Sequence, residues 1–259
     1  MKLNVKSKNA IVLFLIMTFI LSGICYYLRI AGGTTASEVS HLLVFCPAIA
    51  AFIVHFAYYR EEKSLGWNKC SLKFVIAGAI IPVVYLGLSY GAYWIAIRGS
   101  FSGMIYTNPI SLLLLVPSFL LTAAGEEIGW RGFLLPQMAK TWGFRAAVLF
   151  GGLIWAVWHY PLILFWGYLA GTPVWHQLPM FTIEILAMTA ILGILRLKSN
   201  SIWPAILLHA SHNYFDQNIF APLTNGGGSR YFAGETGIIT AVIACVIAIL
   251  MTKKIKITI

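Results

Sequence analysis

Long apolar blocks separated by short polar stretches dominate this chain, and about twenty consecutive apolar residues suffice to cross a bilayer as a helix. Eight such blocks are legible: residues 10–28, 41–59, 74–97, 110–135, 144–166, 180–197, 201–220 and 237–252. The pattern predicts an all-α polytopic membrane protein of about eight transmembrane helices, with residues 1–259 forming a single transmembrane domain. The stretch from Gly167 to Pro179 reads as an interfacial loop, and Asn225 to Ser229 as a flexible Gly-rich loop on the same side.

Composition and charge sharpen this picture. Hydrophobic residues make up 59% of the chain and charged residues 10%, against roughly 45–50% and 25% in soluble domains. The formal charge of +10 does not form a basic face, so nucleic acid is excluded as a partner. It sorts by side instead. With both termini cytoplasmic, 14 Lys and Arg fall in inner segments and three (Arg29, Arg98, Arg230) in outer ones, while Arg131 lies inside a helix. That bias follows the positive-inside rule and supports an even number of spans. It suits the plasma membrane of a prokaryote. Lys2, Lys6 and Lys8 precede the first block, which reads as a retained helix rather than a cleaved signal. Cys25, Cys46, Cys70 and Cys245 show no metal or disulfide spacing.

Three polar elements interrupt the apolar blocks. The first is Gly125-Glu126-Glu127-Ile128-Gly129-Trp130-Arg131-Gly132-Phe133. An ionised side chain in mid-bilayer costs about 2.5–3.5 kcal/mol on insertion scales, so these groups must pair, meet water or stay neutral. Glu127 and Arg131 stand at i, i+4 with the acid first, the favourable helical order. Glu126 is rotated by about 100° from Glu127 and is left to face another helix. The second element is Trp155-x-x-x-His159, on one face of the next block. The third is His209-x-x-x-Asn213, with His212 near the same side. Two acids, an Arg, imidazoles and an amide on three apolar helices avoid lipid only by facing one another. Glu184 and Asp216 read as structural, and His41, His55 and His176 as interfacial. The loop order puts Glu126 and His209 within reach of the inner, cytoplasmic side.

A carboxylate beside an imidazole can activate water for attack on an amide carbonyl, and a His with an Asn can donate to the oxyanion that forms. The same cluster also suits a proton-coupled transporter or a non-catalytic immunity scaffold, although no internal repeat of the transporter kind is visible. Glu126, His159 and His209 would be the ligand set if zinc were used, since two His and a carboxylate make a known zinc site. HExxH is absent, and no metal cofactor is the favoured reading.

These elements resemble the motifs of the CPBP intramembrane protease family, which includes the type II CAAX prenyl proteases and the Abi bacteriocin-immunity proteins. The family pattern EExxxR, aromatic-xxx-His, HxxxN matches Glu126-Glu127-x-x-x-Arg131, Trp155-x-x-x-His159 and His209-x-x-x-Asn213, over a core of about 115–216. Trp155 stands where Phe is frequent, and His212 is an additional titratable group. The resemblance implies a glutamate-type endopeptidase acting on a peptide or membrane-protein substrate in the bilayer. Glu126 would be the base with His159 its partner, His209 and Asn213 the oxyanion hole, and Glu127, Arg131, Trp155 and His212 supporting groups.

Overall fold

The computed structural model describes residues 2–32, 42–61, 65–103 and 108–254. His41, Lys63 and Lys256 lie outside the described residues. The elements run α1 (Lys2–Gly32), α2 (Cys46–Tyr58), α3 (Leu72–Ala96) and α4 (Pro109–Glu127), then a π-helical segment (Ile128–Leu134) that leads into α5 (Leu135–Trp142). They continue as α6 (Phe144–Trp166), α7 (Val174–Ser199), α8 (Trp203–Phe215), a second π segment (Asp216–Phe220) and α9 (Ile238–Lys254). Among the described residues, extended pairing is confined to two isolated bridges, Trp67 with Ser201 and Phe101 with Thr224. The chain is an all-α polytopic membrane protein.

The surface confirms the solvent. Val12, Ile16, Ile20 and Ile24 recur every four residues along α1 and are all about half exposed or more, and Leu113, Leu114 and Leu121 of α4 are 60% exposed or more. The opposite stripe of α1, Ala10, Phe14, Thr18 and Ser22, is fully buried. Apolar groups face outward while Glu126, Glu127, Arg131, His159 and His209 are buried, an arrangement stable only where the surroundings are hydrocarbon.

Among the described residues, five helices are long and apolar enough to cross a bilayer: α1, α3, the α4–α5 unit, α6 and α7. The expected second, seventh and eighth spans correspond to shorter helices, α2, α8 and α9. At 1.5 Å per residue the 13-residue α2 and α8 are about 20 Å long, short of a roughly 30 Å hydrocarbon core.

Two predicted boundaries shift. The fourth helix does not stop near residue 135 but continues to Trp142. Pro136 is tolerated because the preceding turn is π-helical, with the Leu135 N–H donating to the Trp130 carbonyl five residues back. The predicted 167–179 loop is helical from Val174, because Pro173 starts α7 and Pro179 falls early in it.

Gly125 of α4 and Gly129 of the π segment are glycines for a packing reason. A Cβ at Gly125 would come within 2.8 Å of Phe45 and the Val44 carbonyl, and one at Gly129 within 2.6 Å of the Pro47 backbone. This small-xxx-small face lets α2 lie directly against the acidic motif. Gly129→Ala is therefore expected to destabilise the fold by about 1–3 kcal/mol, read as a lower unfolding midpoint in detergent.

Candidate active site

The π segment divides the two acids between different partners. Glu127 is fully buried. Its Oε1 accepts from the Arg131 guanidinium at 2.9 Å and from His209 Nδ1 at 2.9 Å. Arg131 also donates to Thr189 Oγ1 at 3.2 Å and lies 3.8 Å above the Trp155 ring. One acid thereby joins α4, the π segment, α7 and α8, and leaves the His209 Nε2 edge to face the cavity.

Glu126 turns the other way. Its Oε2 accepts the Trp155 indole N–H at 2.8 Å and stands 3.9 Å from His159 Nε2. His159 Nδ1 lies 2.9 Å from the Trp155 carbonyl. A carbonyl can only accept, so that nitrogen carries the proton, and in the neutral ring Nε2 is a bare acceptor. Two acceptors thus face each other across a gap too long for a direct hydrogen bond. A water donating one proton to each fits it. The His159 ring is held by Trp158 at 4.7 Å and Phe181 at 5.2 Å. Trp158 in turn donates to Ser22 on α1 at 2.7 Å, and Tyr26 donates to its carbonyl.

Trp155 touches both acids' systems, through its N–H to Glu126 and its face to Arg131. Trp155→Phe keeps most of the packing and removes the N–H. Loss of this charge-assisted bond is expected to cost about 1.5–3 kcal/mol, read as a lower unfolding midpoint in detergent.

Two connected cavities meet at these groups. A cleft of about 430 Å³ runs between α1, α2, α4, α6 and α8, lined by Leu43, Phe119, Leu162 and Trp166 as well as Glu126, His159, His209 and Asn213. Behind it lies a chamber of about 40 Å³ bordered by the same four polar residues together with Glu184, His212 and Glu235. The structure brings together Glu126, His159, His209 and Asn213. His212 borders only the inner chamber, where its Nδ1 is hydrogen-bonded to Tyr85 at 2.5 Å.

Several placements correct or extend the sequence reading. The cleft is lined by Arg29, Gly167, Tyr168 and Gln217, which belong to the end of the bundle away from both termini. The other end is filled by Phe14, Trp130 and Phe133, all buried, with Phe14 and Trp130 rings 5.8 Å apart. His176 is buried, with Nε2 3.0 Å from the Thr236 carbonyl. Glu184 borders the chamber, and Asp216 is buried under a 2.8 Å bond from Tyr90. Glu235 was missed because it lies in a loop. The only signal was an acid soon after the Gly-rich stretch. It accepts from the Tyr168 hydroxyl at 2.6 Å. Burial, and next the Glu235 carboxylate, hold that phenol well above its ordinary pKa, so it remains a donor.

A zinc site on Glu126, His159 and His209 does not fit this arrangement. The indole takes only Glu126 Oε2 and Glu127 only His209 Nδ1, but among the described residues no three His, Cys, Asp or Glu converge as ligands.

Apolar helices turned outward around an inward-facing ionisable cluster define an integral membrane protein with a polar site inside the bundle. Residues 108–215, which carry Glu126, His159, His209 and Asn213, match the family described as type II CAAX prenyl endopeptidase Rce1-like. The chain is also 27% identical over 225 residues to CAAX prenyl protease 2 of Methanococcus maripaludis, covering 76% of this chain and 80% of that one. The resemblance read from the three motifs therefore holds.

Proposed function

We propose that the protein is an intramembrane endopeptidase that hydrolyses a peptide bond with water activated by Glu126, without a metal. The observation that carries this reading is the 3.9 Å gap between Glu126 Oε2 and His159 Nε2, open to a cavity that also presents His209 and Asn213. A water in the gap gives its proton to Glu126 as its oxygen attacks the scissile carbonyl carbon. The carbonyl oxygen becomes an oxyanion. Asn213 donates to it through its amide, and His209 through Nε2–H as an imidazolium balanced by Glu127. Collapse breaks the C–N bond, and the proton passes from Glu126 to the leaving amine. The larger cleft, with its apolar walls, suits a peptide or membrane-protein segment lying across Glu126.

The relative's name and the family description support this assignment and suggest a membrane-associated protein substrate. The test is incubation of the purified protein with a library of membrane peptides, with products read by mass spectrometry. Cleavage that survives chelation is expected. Stoichiometric zinc lost together with activity would overturn the metal-free mechanism. Proton flux in proteoliposomes with no peptide cut would favour the carrier alternative.

We infer from the charge distribution that the termini are cytoplasmic, in a prokaryotic plasma membrane, so that the cleft opens toward the outer face. Ser229→Cys, in a cysteine-free background, should then react with an impermeant maleimide on intact cells. Protection until the membrane is broken would reverse the orientation.

A further inference from the structure

The chamber behind the catalytic groups has a chemical character that hydrolysis alone does not use. Glu184 is 2% exposed, and neither of its carboxylate oxygens has a hydrogen-bond partner. His212 Nε2 lies 3.8 Å from Oε1, too far for a hydrogen bond. Glu235 borders the same chamber, its oxygens held by Tyr168 at 2.6 Å and Gln217 at 3.3 Å. Glu126 stands at the mouth. Among the described residues no Lys or Arg lines the chamber; His159, His209 and His212 do, with His209 balanced by Glu127, and so do the Tyr168 and Phe181 rings, crossing at 87° with centroids 6.3 Å apart. A buried acid aimed without a partner into a cavity is costly unless something fills it.

We propose that this chamber is a subsite for a primary ammonium group, the end of a lysine-type side chain next to the scissile bond. The –NH₃⁺ group has three donors and no acceptor, which matches two unused oxygens on Glu184 with a third contact to Glu235 or an aromatic face. A volume of about 40 Å³ holds about three waters at roughly 10–15 Å³ each, or an ammonium with the last of its stem. The two cavities share Glu126, His159, Tyr168, His209 and Asn213. A chain lying in the large cleft with its carbonyl at Glu126 therefore directs one neighbouring side chain into the acidic chamber. The position beside the scissile bond rests on the peptidase reading, whereas ammonium binding does not.

The experiment has two arms. In the first, purified protein in detergent is titrated with n-butylammonium and with n-butanol, and the unfolding midpoint is followed. Wild type should be stabilised by n-butylammonium and not by the alcohol. The apparent affinity should fall at least about thirtyfold in Glu184→Gln, as expected when a buried charge loses its partner, and also weaken in Glu235→Gln. Equal responses to amine and alcohol, or an undiminished response in both variants, overturn the subsite. In the second arm, a cleaved peptide is made with lysine or its uncharged isostere norleucine beside the bond. Wild type should prefer lysine and Glu184→Gln should not. Equal rates in wild type overturn the subsite while the peptidase reading stands. Amine binding without any cleavage supports the subsite while the peptidase reading fails.

Discussion

Glu126→Gln is expected to lower turnover by about 10²–10⁴-fold, the range that general-base catalysis supplies, with the unfolding midpoint nearly unchanged. Gln retains an oxygen that can accept the Trp155 N–H, the bond that positions this side chain at 2.8 Å. It cannot take a proton from water. The separation of the two readouts is the point of the experiment. A structural acid would lower stability and activity together, whereas a base lowers activity alone. Steady-state cleavage by purified wild type and variant, with matched unfolding curves, gives the answer. Activity within twofold of wild type would remove Glu126 as the base.

Glu127→Ala should do the reverse in emphasis: it should destabilise the fold by about 3–5 kcal/mol, the cost of leaving a buried charge without its partner. Glu127 is fully buried and ties Arg131 and His209 through one oxygen. Without it the Arg131 guanidinium keeps only its 3.2 Å bond to Thr189 and its stacking on Trp155. The double variant Glu127→Met with Arg131→Met should be more stable than Glu127→Ala, because removing both charges leaves neither stranded. Denaturant unfolding in detergent measures both. A double variant less stable than the single one would show that the pair contributes more by its bonds than by mutual neutralisation.

Much of the site was legible from spacing alone. The i, i+4 relations Glu127–Arg131, Trp155–His159 and His209–Asn213 each place two groups on one helical face, and apolar surroundings compel polar faces to meet. The divergence of Glu126 from Glu127 also followed from helical rotation. The pairing of His209 Nδ1 with Glu127 was not legible, since it depends on how α8 lies against the π segment. Neither was the π segment itself, which carries the helix through Pro136 to Trp142. Gly125 and Gly129 signal instead a close approach, since their missing side chains admit α2 and the residues before it. Glu235 was invisible because a loop acid is ordinarily solvated, and only the tertiary fold returns it to the chamber. Which end of the bundle is filled was not legible either. Position along α4 does not say which end of a bundle is filled, since Phe14 comes from α1 while Trp130 and Phe133 come from the π segment.

A structure at a resolution that shows ordered water tests the central claim most directly. The account predicts a water between Glu126 Oε2 and His159 Nε2, within about 2.6–3.2 Å of each and open to the cleft shared with Asn213. A dry, closed contact between the two side chains, or a metal ion bonded to both, would contradict it.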